Sequence, residues 1–139
     1  MNKNVLVIGG SGFLGSHTSD QLTEDGYQVT IFDKEPSKWI KKNQNMIVGD
    51  FLDFKKLTEA MRNASIVYHF GAMADIGETK INPRKTIEAN IMGTLNILEA
   101  VKESSIERLM YASSAYVYSD KGSFYRVSKQ SSEGIIEEY

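Results

Sequence analysis

The chain has 139 residues, with 41% apolar and 24% charged side chains and only 11 glycines and 2 prolines. That describes one folding domain able to bury a core and excludes disordered or collagen-like polymers. A net charge of -2, without a long block of one sign, gives no nucleic-acid or anionic-membrane surface, so any ligand must be recognised by a local site. There is no cysteine, which removes disulfides, thiolate metal sites and cysteine nucleophiles and fits a reducing, cytoplasmic setting.

The first apolar run, Val5-Leu6-Val7-Ile8, has no polar alternation and reads as a strand covered on both faces, as in a parallel sheet. It is too short for a signal-peptide core or a membrane span. A helix is expected over 13–25, with Phe13, Leu14, His17 and Leu22 at helical spacing and Asp25-Gly26 as its stop. Strands follow at 28–32, 45–48, 65–70 and 107–112. Between them the pattern predicts a helix over 53–62 capped by Asp53, and a long helix from Asn82-Pro83 to about Glu103. The long helix carries a core stripe of Ile87, Ile91, Leu95 and Leu98, while Ala89, Gly93 and Ala100 allow close approach to a sheet. A last helix over 124–139 presents Val127, Ile135 and Ile136. Strands alternating with helices imply an α/β fold, a doubly wound parallel sheet of about five strands.

Between the first strand and helix lies Gly9-Gly10-Ser11-Gly12-Phe13-Leu14-Gly15, which satisfies both G-x-G-x-x-G and G-x-x-G-x-x-G. A turn free of Cβ atoms lets backbone N–H groups meet a pyrophosphate, and the helix N-terminus that starts with Phe13 and Leu14 favours its charge. Asp33 ends the second strand eighteen residues beyond Gly15, where a carboxylate can accept both ribose hydroxyls of an adenosine. With Lys34 adjacent but no arginine nearby, this favours NAD over NADP. Asp50, after the third strand, is placed either to accept from an adenine amine or to cap a turn.

Tyr125 and Lys129 are four residues apart and share a helical face. A phenol of pKa near 10 serves as a base at neutral pH when a cation stabilises phenolate, a difference of about 4 kcal/mol for three units. Ser113 and Ser114 end the fifth strand, at the edge where open α/β sheets bind ligands, and a hydroxyl there can position a substrate alcohol. His17 and His69 lie on different elements and do not form a metal pair, so no metal is expected. Trp39 reads as local packing near the nucleotide edge, and Tyr116 and Tyr118 as either sugar-pocket lining or rim packing.

Together the glycine loop, Gly49-Asp50, His69-Phe70-Gly71-Ala72, Glu88-Ala89-Asn90-Ile91-Met92-Gly93-Thr94, Ser113-Ser114-Ala115-Tyr116-Val117-Tyr118 and Tyr125 with Lys129 carry a resemblance. The chain resembles the extended short-chain dehydrogenase/reductase family, and within it the NAD-dependent nucleotide-sugar epimerases of the UDP-glucose 4-epimerase type. The resemblance implies that Gly9, Gly12 and Gly15 hold the pyrophosphate, Asp33 the adenosine ribose, Asp50 with Phe51 the adenine, and that Phe70, Gly71 and Ala72 line the cofactor. It further implies that Ser114 orients a sugar hydroxyl and Tyr125 removes its proton while hydride passes to NAD. Lys129 would lower the Tyr125 pKa and grip the nicotinamide ribose, Asn90 would brace the site, and Ser113 would pack near the nicotinamide. A UDP-sugar substrate and a homodimer through helices that include the Tyr125-Lys129 helix are implied partners.

The sequence departs from that pattern in three places. Ala74 stands where a common epimerase lysine reaches the pyrophosphate, and only ten residues separate Ser114 from Tyr125. Family enzymes are also about twice this length, so residues 1–139 are expected to be the NAD-binding Rossmann domain of a longer enzyme, without its C-terminal substrate region. Ala115 and Tyr116 follow Ser114 in place of the Asp-Glu pair of the related 4,6-dehydratases, which disfavours dehydration. A keto-sugar reductase or a non-catalytic dinucleotide-binding module are the competing readings.

Overall fold

The computed structural model describes residues 3–139 and divides them into two compact units, 3–71 with 100–112, and 72–99 with 113–139.

The first unit is built on a five-stranded parallel sheet of β1 (Asn4–Ile8), β2 (Gln28–Asp33), β3 (Gln44–Val48), β4 (Ile66–His69) and β5 (Arg108–Tyr111), in the order β3-β2-β1-β4-β5. The strand order reverses between β1 and β4, the switch point at which open α/β sheets bind ligands. Register aligns the carboxyl ends, with Ile8 opposite Phe32 and His69, Asp33 opposite Val48, and His69 opposite Tyr111. Val5, Val7, Val29 and Ile31 form one apolar face, packed with Leu22 of α1 (Phe13–Glu24). Alternation sends Leu6, Ile8, Phe32 and Val67 to the other face, and all four are buried, as are Leu57 and Met61 of α2 (Phe54–Met61). The Asp53 side chain caps α2 by accepting from the Lys56 N–H, as its sequence position predicts.

In α1 the buried residues are Gly15, Ser16, Ser19 and Leu22, whereas Phe13 and Leu14 are 78% and 60% exposed. The apolar spacing that includes Phe13 and Leu14 therefore misplaces the packed face. Small residues let the helix approach the sheet, and the two large ones stand out at its first turn.

The second unit contains α3 (Ile76–Ile81), α4 (Pro83–Ile87), a π-helical segment (Glu88–Met92), the greater part of α5 (Gly93–Lys102), a 3-10 turn (Ala115–Tyr118) and α6 (Ser123–Glu138). Neither α3 nor the 3-10 turn is anticipated by the sequence pattern. The long helix expected from 82 to 103 is instead interrupted by the π segment, which inserts an extra residue into one turn and shifts the phase of everything beyond it. Ile87, just before the π segment, is 43% exposed, and the buried positions include Thr86, Ala89, Asn90, Thr94, Ile97, Leu98 and Ala100. Helix α6 packs on α3, α4 and the π segment through a polar interior in which Thr79, Thr86, Thr94, Ser128 and Ser132 are all buried. Their hydroxyls donate to main-chain carbonyls: Thr86 to Asn82, Thr94 to Asn90, and Ser132 across helices to Asn90. Among the described residues no helix is long and apolar enough to cross a membrane, and no group of three or more His, Asp or Glu residues is placed to hold a metal ion.

Candidate functional site

On the first unit the candidate residues sit at the carboxyl ends of β1 to β4. Gly9 follows β1 with φ +77°, a conformation L side chains rarely adopt, and its N–H donates to the Phe32 carbonyl at 2.9 Å. A Cβ on Gly9 would lie 2.6 Å from the Gly71 nitrogen, so the loop crosses the β4 end in direct backbone contact. A Cβ on Gly15 would lie 2.2 Å from the Gly9 carbonyl oxygen. Gly12 differs. It is the N-cap of α1 with ordinary extended angles, and its Cβ would meet only the Gly9 oxygen at 3.4 Å, an ordinary contact. Gly9 and Gly15 are thus needed to close the loop, while the space beside Gly12 is left open for a group to approach the main chain. No side chain caps α1 and no acidic residue lies in its first turn, so the positive end of this twelve-residue helix has no carboxylate of its own. These features fit a bound diphosphate.

Asp33 accepts from the Ser11 N–H at 3.0 Å through one carboxylate oxygen and from the Glu35 N–H at 3.3 Å through the other. Each oxygen keeps a lone pair, and the carboxylate is pinned to the glycine loop. Lys34 reaches away from Asp33 and pairs with Asp50 at 3.0 Å; the other Asp50 oxygen accepts from the Leu52 N–H at 2.9 Å. Lys34 therefore offsets the Asp50 charge and leaves that of Asp33 uncompensated. Phe51 is buried, with its ring edge-on to His69 and against the space a Gly71 side chain would fill, so it offers a ligand its main chain only. Phe70 stacks on Tyr68 beneath the loop. His17 packs on Phe13 and His69 on Phe51 and Tyr111, so each histidine is held among aromatic rings. Trp39, expected to pack locally, is 66% exposed, and with Ser11, Glu35, Pro36, Ser37 and Lys38 it walls an open cleft beside Asp33.

On the second unit, α6 carries Tyr125 and Lys129 on one face. The Lys129 Nζ lies 5.8 Å from the Tyr125 ring centroid, and Tyr116 meets the same ring edge-on at 6.2 Å. Lys129 is 3% exposed, and burial pushes its ammonium down from the ordinary 10.5 to about 8, opposed by the negative charge of Glu133. Ser114 Oγ accepts from the Tyr116 N–H at 3.2 Å and caps the 3-10 turn, which leaves its own proton to donate. Ser113 Oγ donates to Glu133. Ala72 opens this unit's chain segment.

Asn90, read from sequence as a polar helix residue given a bracing role by resemblance, is 2% exposed and uses its whole side chain. Oδ1 accepts from the Met73 N–H at 2.7 Å, and Nδ2 donates to the Met73 carbonyl at 3.0 Å and to Ser128 Oγ at 2.9 Å. Its main-chain carbonyl accepts from Thr94 and Ser132 hydroxyls, and Ser128 Oγ in turn donates to the Tyr125 carbonyl at 2.8 Å. Asn90 thereby joins the segment after β4 to the tyrosine's own turn of α6. Sequence reasoning passed over Ser128, Ser132 and Glu133; the signal for the last was present, because Tyr125, Lys129 and Glu133 repeat at four-residue spacing.

Comparison with known proteins gives this geometry a context. The family described as NAD dependent epimerase/dehydratase matches residues 5–139. UDP-glucose 4-epimerase of Rhizobium meliloti is 34% identical over 125 residues, covering 84% of this chain and 37% of the relative. UDP-glucose 4-epimerase of Klebsiella pneumoniae is 32% identical over 129 residues, covering 84% of this chain and 93% of the relative. The crystal structure of UDP-glucose 4-epimerase from Brucella ovis in complex with NAD superposes with a TM-score of 0.91 at 29% identity, over 99% of this chain and 47% of that one. This chain thus spans 37% of the Rhizobium enzyme and 47% of the Brucella enzyme but nearly all of the Klebsiella sequence. With a switch-point glycine loop, a Tyr-Lys helix and a match running from the first strand to the last residue, the chain belongs to the NAD-dependent epimerase/dehydratase family.

Proposed function

We propose that this chain is the cofactor-binding and proton-transferring part of a nucleotide-sugar epimerase of the UDP-glucose 4-epimerase type. The observation that carries the reading is the pairing on α6 of a half-buried phenol with a lysine that the fold keeps almost wholly out of water. A buried cation is costly to maintain without a task, and stabilising phenolate is such a task.

In this reading the loop from Gly9 to Gly15 and the first turn of α1 bind the diphosphate of NAD through main-chain N–H groups, Gly12 providing the close approach. Asp33 accepts from the adenosine ribose hydroxyls and, uncompensated by Lys34, repels a 2′-phosphate. Gly71 and Ala72 line the cofactor beyond β4, and Asp50 and the Phe51 main chain meet the adenine. Bound NAD supplies the acceptor and donor of hydride. Tyr125, as the phenolate, takes the proton of the sugar hydroxyl and later returns it. Lys129 lowers the cost of the phenolate, Ser114 Oγ donates to the sugar hydroxyl oxygen to orient it, and Asn90 holds the Tyr125 turn in place. The substrate is a UDP-sugar, by similarity to relatives named for UDP-glucose.

The test is conversion of UDP-glucose to UDP-galactose with NAD present by the epimerase of which this chain is a part, as wild type and as Tyr125→Phe. The expected result is conversion by the wild type and a loss of about 10²–10⁴-fold in the variant with NAD affinity retained. No conversion by the wild type, or equal conversion by both, contradicts the assignment.

A further inference from the structure

Glu133 lies one turn beyond Lys129 on α6 and is half-buried. Its carboxylate accepts a hydrogen bond from Ser113 Oγ in the segment that follows β5, so it is anchored to a second piece of chain. On α6 itself Arg126 lies one turn before Lys129, and its guanidinium donates to the Ser119 carbonyl at 3.0 Å. Of the elements packed on α6, α3 carries Glu78 and Lys80, α4 carries Arg84 and Lys85, and the π segment carries Glu88; all five are exposed, and the 3-10 turn has no charged residue. Tyr125, on α6 itself, is uncharged until it gives up its proton. Carboxylate and ammonium at i and i+4 attract, and more so where water is partly excluded.

We propose that Glu133 is a positioning residue of the site: fixed by Ser113, its carboxylate holds the buried Lys129 in the ammonium form beside Tyr125. Ser113 accordingly acts through Glu133. The inference rests on the reading of Lys129 as the partner of the Tyr125 phenol, and it adds the group that keeps that partner charged. Burial alone favours neutral lysine, which offers phenolate no charge; the neighbouring carboxylate opposes that loss.

The test is the titration of Lys129 in the full chain without cofactor, followed by NMR of isotopically labelled lysine side chains, with the signal identified by its absence from Lys129→Arg. The wild-type midpoint is expected near 8. Glu133→Gln, which keeps an acceptor for Ser113 and removes the charge, should lower it by about half a pH unit or more. Glu133→Asp should restore most of the difference. Ser113→Ala, which releases the carboxylate but keeps its charge, should lower the midpoint by less than Glu133→Gln, and it supplies the comparison should Glu133→Gln fail to fold. A midpoint unchanged within about 0.2 units in the charge-removing variant, or unchanged in Ser113→Ala if that is the variant that folds, overturns the proposal. Because no cofactor enters this measurement, its outcome is independent of whether the chain binds NAD.

Discussion

Gly12 and Gly15 of the loop do different work, and substitution separates them. At Gly15 an alanine Cβ would sit 2.2 Å from the Gly9 carbonyl, a backbone atom that cannot move without opening the loop. Gly15→Ala should therefore cost about 3 kcal/mol or more in urea unfolding. At Gly12 the backbone angles suit any residue and the Cβ has room, so Gly12→Ala should cost about 1 kcal/mol or less. The same methyl group occupies the space through which a diphosphate would reach the N–H groups of α1, and NAD affinity should fall by about tenfold or more. A Gly12→Ala protein that binds NAD as well as wild type would place the diphosphate elsewhere.

At the scale of elements, the π segment and α6 form a unit whose interior is polar. Such an interior is stable only when its donors and acceptors are matched, and Asn90 matches both polar groups of Met73 and the Ser128 hydroxyl. Asn90→Ala should destabilise the chain by about 2–4 kcal/mol, because it leaves buried partners unmatched. It should also lower turnover by loosening the Tyr125 turn, whereas loss of the Thr79 hydroxyl, which donates to the Ile76 carbonyl of its own helix, should matter less; stability by denaturant and activity, measured together, check this. Here the sequence was least legible. The π turn uses ordinary helix-forming residues, so the 3.6-residue stripe through Ile87 and Leu98 runs straight across it, while the real helix slips by one position beyond it and the two ends of the stripe part, Leu98 buried and Ile87 exposed. Helix α3 left no apolar period to read and is announced only by its cap, with Asp75 accepting from the Glu78 N–H. The first strand was legible because residues buried on both faces need no alternation, and Val5 to Ile8 is such a run.

For the whole molecule, the loop glycines and Asp33 were legible as a motif, and their meaning came from context that spacing alone cannot supply: Gly9 against Gly71 at the reversal of strand order, and Asp33 bonded to the loop through Ser11. What spacing could not show was charge balance. Lys34 looked available to soften Asp33, yet it pairs with Asp50 instead of with the carboxylate bonded to the glycine loop. The proposed reading makes its central prediction here: this chain should hold NAD and discriminate against NADP. Calorimetric titration of the 139-residue chain with each dinucleotide tests it most directly. The account predicts binding of NAD in the micromolar range, with NADP weaker by about tenfold or more, since a 2′-phosphate would meet the Asp33 carboxylate. Binding of neither dinucleotide, or equal affinity for both, would contradict it.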